Sequence, residues 1–420
     1  MSGRPGVTRS RDSRASFALA LPRARSVALI AAAAALAMLV AMVTWGGLNK
    51  VRQPHLALGA VPTNGFAYPQ ATVRAIAAQV GENPGRLTAV SISPAQRDAA
   101  LAGYRREPLA SQGLAIAALA AENDGKTAMA RALMTAALQL SRRDSLVNGW
   151  AVLDASRRND LDAAVVALNR SMTTNPATAS IYVPAMVKSL EQDASIKVLE
   201  RILARRPTWD LEFWRAAVVS PQTIGNAGKL RALLERRSED DKTIDRALLG
   251  ALALQREFAT ATLLYRTRAG VQRPGPGQIV RNADFGATPA WPPFDWDVMA
   301  TGEFSGAIAL DGEGLAVEAL PGSGGLIARQ LVVVPPGPMR LRAALTHPFE
   351  RDANRLAIRL QCATTDARVF EADFTAQVFG REFATTACRY HWLDIIVRSG
   401  IAENRQPLAL RRIDIVPRAG

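Results

Sequence analysis

The hydrophobic period changes three times along the chain. From Ser26 to Asn49 no charged residue interrupts an apolar run whose core is Val27–Trp45. As a helix this stretch reaches roughly 36 Å, more than the ~30 Å hydrocarbon thickness of a bilayer, so it predicts a transmembrane segment. From Gln70 to about Gly270, apolar residues recur every three or four positions, as in Leu114, Ala117, Ala118 and Ala121, or Leu230, Leu233 and Leu234. That spacing predicts amphipathic helices. Cap and stop residues at Asn123-Asp124-Gly125, Arg158-Asn159-Asp160, Asn175-Pro176 and Arg206-Pro207 divide them into short units. Beyond Arg273-Pro274-Gly275-Pro276-Gly277 the period drops to two, as in Leu341, Ala343 and Leu345 or Leu356, Ile358 and Leu360. About eight such runs separated by turn residues predict an antiparallel sandwich. The expected organisation is multidomain: a disordered Arg-rich tail over 1–25, a membrane helix over 26–49, a Pro- and Gly-containing linker over 50–69, an all-α region over 70–270 and an all-β region over 278–420.

Charge gives the membrane helix a direction. The net charge is +14, and Arg4, Arg9, Arg11, Arg14, Arg23 and Arg25 stand before the apolar run against Asp12, whereas Lys50 and Arg52 follow it closely. The positive-inside rule then leaves the N-terminus in the cytoplasm and residues 50–420 outside, the topology of a single-pass protein of a bacterial inner membrane with a periplasmic body. A cleaved secretory signal is the rival. The long charged region before the run favours a retained anchor, as does the position of the small-residue site Ala57-Leu58-Gly59, well past its end. A basic surface can also attract nucleic acid, but RNA-binding and zinc-finger signatures are lacking and the export signal points elsewhere, so no nucleic-acid partner is expected. Cys362 and Cys388 are the two cysteines. They are either a disulfide or two buried thiols, and export favours the disulfide. Without Cys or His neighbours at ligand spacing they are not a zinc site.

The helical region carries an internal period. Gly125, Ala130, Met134, Ala137 and Arg142 are followed 34 residues later by Asn159, Ala164, Leu168, Ser171 and Pro176. Turn-forming, small and larger apolar residues recur in register, and "NDLDAAVVALNRSMTTNP" is the best copy. The segment resembles the tetratricopeptide repeat, although the Trp and Leu-Gly signature of the first helix is missing. That resemblance implies a stacked solenoid binding peptide or protein. In the β region, "NADFG", "PPFDWDV", "IARQLVVVPPGPMRLRAAL" and "RRIDIV" carry a second likeness through Asn282, Asp284, Phe285, Phe294, Trp296, Gln330, Pro336, Gly337, Cys362 and Cys388. It resembles the galactose-binding-like jelly roll of bacterial carbohydrate-binding modules, in the form fused behind helical repeats in envelope proteins of polysaccharide production. The resemblance implies an all-β jelly roll behind an all-α repeat solenoid.

Sugar recognition needs aromatic faces and hydroxyl partners. Trp291, ahead of two prolines, is the best expected exposed aromatic, and Tyr390 and His391 complete the candidate glycan- or partner-binding set. Phe294, Trp296 and Trp392 are expected in the sandwich core. Asp295-Trp296-Asp297 matches the Asp-x-Asp pattern of some metal-dependent glycosyltransferases, but the nucleotide-binding domain that should accompany it is lacking. Neither a Gly-x-Ser-x-Gly elbow nor a His-Glu-x-x-His helix is present. No catalytic residue, metal or cofactor is therefore expected. The expected role is a membrane-anchored envelope scaffold engaging envelope proteins and polysaccharide; the alternatives are a purely structural spacer and a glycan-active enzyme whose carboxylate pair matches no motif.

Overall fold

The computed structural model describes residues 23–82, 91–235, 238–269, 279–309, 314–347, 355–385, 388–399 and 408–418. The tail expected over 1–25 lies outside them up to residue 22, as does the Pro-Gly stretch 273–277. The chain divides into two compact units, Met1–Trp150 and Ala151–Gly420, with the division inside a helix.

The first unit is helical: α1 (Arg23–Asn49), α2 (Pro54–Ala60), α3 (Ala67–Glu82), α4 (Pro94–Arg106), α5 (Gln112–Asn123), α6 (Thr127–Leu140) and the start of α7 (Ser145–Arg157). Within α1, Ala28–Asn49 has a mean hydropathy of 2.3 and is wholly unburied. At 1.5 Å per residue it is long and apolar enough to cross a membrane. Residues 50–69 are not extended throughout: Pro54 opens α2 with a φ already suited to a helix, and Ala67 begins α3. Ser93 and Gln96 close a capping box at the start of α4. Further on, α6 turns Ala130, Met134 and Ala137 inward at helical spacing.

The second unit begins with α8 (Leu161–Thr174), α9 (Ala179–Lys188), α10 (Ser195–Leu203), α11 (Asp210–Val218), α12 (Ile224–Leu233), α13 (Glu239–Leu254) and α14 (Phe258–Arg268). The 34-residue period is visible in local geometry. Helices α6 and α8 are each 14 residues long and start at Thr127 and Leu161. The turns before them hold Gly125 at φ 77° and Asn159 at φ 53°, left-handed conformations that glycine and asparagine adopt most readily. Beyond α8 the spacing lengthens. Around α11 to α13 the helical core encloses charge: Arg231 donates to Asp245 (2.5 Å) and Asp241 (2.8 Å), Arg268 lies 3.3 Å from Asp245, and Arg206 pairs with Asp241 and Asp210. Asp241 and Asp245 are fully buried.

Ten strands follow among the described residues: β1 (Asp297–Val298), β2 (Phe304–Ala309), β3 (Gly314–Ala319), β4 (Gly324–Val333), β5 (Gly337–Leu345), β6 (Arg355–Cys362), β7 (Arg368–Asp373), β8 (Val378–Thr385), β9 (Tyr390–Arg398) and β10 (Leu408–Pro417). They form two antiparallel sheets, ordered β1-β4-β9-β6-β7 and β2-β3-β10-β5-β8. The pairs β3–β10, β4–β9, β5–β8 and β6–β7 nest inside one another, as in a long hairpin rolled over itself, which is the jelly-roll arrangement. Between the sheets lie Leu341, Ala343, Ile413 and Ile415 from one and Ile358, Leu360, Leu393, Ile395 and Val397 from the other.

The outer face of the first sheet is not open to solvent along its whole length, because α13 and α14 cover part of it. Phe258 of α14 meets Tyr390 (5.4 Å between ring centroids) and the edge of Trp392 (6.3 Å), and Tyr265 stacks on Phe294 at 4.4 Å. Arg256 clamps the β6–β7 turn through the Thr364 carbonyl and the Asp366 carboxylate, both at 2.6 Å. Three sequence expectations change here. Phe294 and Trp392 belong to this helix-facing layer and not to the sandwich core. Trp291, expected at the surface, is 4% exposed within the same layer. The cause is common to all three: a second apolar layer lies over the sheet, so its outward positions are buried too. Trp296 does reach the sandwich core, beside Phe285 at 5.2 Å.

Candidate functional site

Register places five charged residues side by side across the first sheet. Asp297 on β1 faces Arg329 on β4, Arg329 faces Asp394 on β9, Asp394 faces Arg359 on β6, and Arg359 faces Glu371 on β7. Signs alternate at every step, and opposite charges directly across strands attract. Asp394 at the centre is fully buried. Arg329 reaches its Oδ1 through Nε and Nη2, both at 3.1 Å, and Arg359 reaches Oδ2 at 3.0 and 2.7 Å. Two forked donors on one carboxylate provide the hydrogen bonding that a buried charge needs. Arg329 also lies over the Trp392 ring, 4.4 Å from its centroid.

A cleft of about 420 Å³ opens beside the Asp297 end of this row, where α13 leaves the sheet. On the helix side, Arg246, Gly250, Ala253 and Leu254 follow the spacing of one helical face. The sheet side presents Asp297, Arg329, Trp392, Met299 and the prolines 289, 292 and 293. Arg246 is held at the rim by donating Nε to the Ala290 carbonyl at 2.7 Å. Asp297 is half-buried, and that burial raises its carboxyl pKa above the ordinary value against the pull of Arg329. Its companion in the Asp-x-Asp pattern is spent elsewhere. Asp295 accepts from the Ala290 and Trp291 amides (2.8 Å each) and pairs with Arg281 at 2.8 Å. Among the described residues no group of three or more His, Cys, Asp and Glu side chains could hold a metal ion.

The three aromatic candidates lie close in the fold but on two faces. Trp291 and Tyr390 sit in the layer beneath α13 and α14. His391, next in sequence to Tyr390, points the other way and is fully buried on the inner side of β9. Burial lowers its pKa, with a smaller opposing pull from the Arg389 backbone. Cys362 and Cys388 form a disulfide with Cα atoms 5.9 Å apart, and Cys362 stands opposite His391 in the β6–β9 register. Sequence inspection missed Arg246, Arg329, Arg359 and Asp394. The available signal was a charge inside an otherwise apolar strand, as in "HWLDIIV" and "LAIRLQC", which calls for a partner on the neighbouring strand. Comparison with known protein families and with characterised proteins finds no match to this chain.

Proposed function

We propose that the protein is a non-catalytic, membrane-anchored scaffold of the bacterial cell envelope, whose helical repeats engage protein and whose jelly roll engages glycan. The apolar helix α1 supports the anchor, and the arginines before it support a cytoplasmic N-terminus. The disulfide supports a body in the oxidising periplasm. Paired helices recurring every 34 residues around left-handed turns support a tetratricopeptide-like reading of α5 to α8.

The observation that carries binding over catalysis is the commitment of the charges around the cleft. Asp394 is saturated by two arginines and Asp295 by two amides and Arg281, so neither is poised to exchange a proton. What faces the cleft is a carboxylate, two guanidinium groups and apolar wall, a set suited to holding a ligand. The test uses the full chain in a detergent without a sugar headgroup, titrated with neutral and acidic polysaccharides. Saturable binding with unchanged polysaccharide length is the expected result. Absence of binding to either class sinks the glycan half of the proposal, and release of shorter sugars replaces the scaffold with an enzyme.

A further inference from the structure

We infer that Asp297 is the hydrogen-bond acceptor at the centre of an extended groove for a neutral, hydroxyl-bearing chain, a short stretch of uncharged glycan. This rests on the glycan-binding reading above and names its site and ligand class.

Two hollows share Asp297. Besides the cleft against α13, a second of about 490 Å³ is lined by Thr288, Trp296, Val298 and Ile308, and both have Pro289, Pro292 and Asp297 in their walls. Each volume falls in the range of roughly 300–1,000 Å³ typical of small-molecule sites. Hollows on either side of one carboxylate suit a chain that continues past it better than a single compact molecule.

The chemistry of the walls selects the ligand. A cation would be drawn to Asp297 but repelled by Arg246 and Arg329, which line the same cleft. An anion would meet Asp297, and the Arg329 guanidinium is already engaged by Asp394 through Nε and Nη2. A neutral donor avoids both conflicts. Hydroxyl groups can donate to the half-buried Asp297 carboxylate, which burial has deprived of part of its water. The prolines and Met299 offer apolar surface to the C–H face of a sugar ring, and Leu254, 80% exposed, forms the outer lip. Trp392 contributes an edge of this wall and not an open stacking face, because Arg329 lies over its ring.

The experiment is calorimetric titration of the full chain, in detergent without a sugar headgroup, with maltohexaose, cellohexaose and hexagalacturonate. Two variants are compared with the unaltered chain. Asp297→Asn keeps the side-chain shape but gives up a charged acceptor, and Leu254→Arg fills the lip from a solvent-facing position that should leave folding intact. Saturable binding of a neutral hexamer is expected, weaker by about tenfold or more in each variant, as for loss of a hydrogen bond to a charged group. Unfolding midpoints should stay within a few degrees. The inference is overturned if neither neutral hexamer binds, if hexagalacturonate binds more tightly than both, or if both variants bind like the unaltered chain. In that last case the polysaccharide titration of the unaltered chain still stands, so the groove fails without the scaffold.

Discussion

Replacing Arg231 with Met tests whether the buried charges of the helical core act as one unit. Arg231 is 2% exposed, donates to Asp245 and Asp241, and lies over the Trp214 ring at 5.1 Å. Burial opposes its charge, but the hydrogen bonds and attraction of Asp245 and Asp241 outweigh that, and its pKa is raised. Met fills much of the same volume yet offers no donor, so two fully buried carboxylates lose their shared partner. Breaking a buried pair from one side costs about 3–5 kcal/mol, because the remaining charge is uncompensated. For a body of this size that is a fall of about 6–20 °C in melting temperature, at roughly 2–4 °C per kcal/mol. Arg206→Met is the control: Arg206 joins the same network, but its side chain is 36% exposed and water can replace it, so the cost should be about 1 kcal/mol. Adding Asp245→Leu to Arg231→Met removes one stranded charge and should recover part of the loss. Urea denaturation of the full chain, followed by circular dichroism, reads all three. An Arg231→Met variant within about 1 kcal/mol of the unaltered chain would refute the reasoning.

The fold should also respond to acid through His391. Its folded pKa lies below the unfolded value of about 6.5, so stability is full at higher pH and is lost as the unfolded chain takes up a proton on acidification below that value. His391→Leu should therefore narrow the gap between melting temperatures at pH 7.5 and 5.5; an unchanged gap rules the residue out. Cys362→Ser opens a loop closed over 26 positions, and loop entropy predicts a loss of about 3–4 kcal/mol, read from the urea midpoint with and without reductant. If reductant leaves the midpoint of the unaltered chain where it was, the bridge contributes nothing to stability.

Much of the fold was legible because its signals are local. The run from Ser26 to Asn49 needs only length and lack of charge to be read as a helix able to cross a bilayer, and α1 covers it. Alternation in "RLAIRLQC" and "MRLRAAL" gave β6 and β5, because one inner face of each strand is apolar whatever lies outside. The positions Gly125 and Asn159 stood out because few residue types take left-handed geometry easily, and both take it. The segment 50–69 read as linker from its prolines and glycine, but a proline at the first turn starts a helix as well as it breaks one, and Pro54 does so.

The candidate site was less legible, since its residues meet only through tertiary pairing. Alternation along "YHWLDIIVR" separates His391, Leu393, Ile395 and Val397 from Tyr390, Trp392 and Asp394, but does not say which set faces the other sheet. Both sets are largely buried, so the usual contrast of apolar inside and polar outside is blurred. Placing the second set required knowing that α13 and α14 cover the sheet, information held by residues more than a hundred positions away, such as Phe258. The charges follow the same logic. Asp394 in an apolar strand demands a partner, but the choice of Arg329 and Arg359 depends on strand register, and register depends on the entire nested order of the jelly roll. The one element that local reading did bring forward was Asp297, for a motif whose other carboxylate proves to be a structural clamp. Its importance comes from the opposite circumstance: Asp295 is spent on the backbone, while Asp297 stands at the open end of the charge row, facing both hollows.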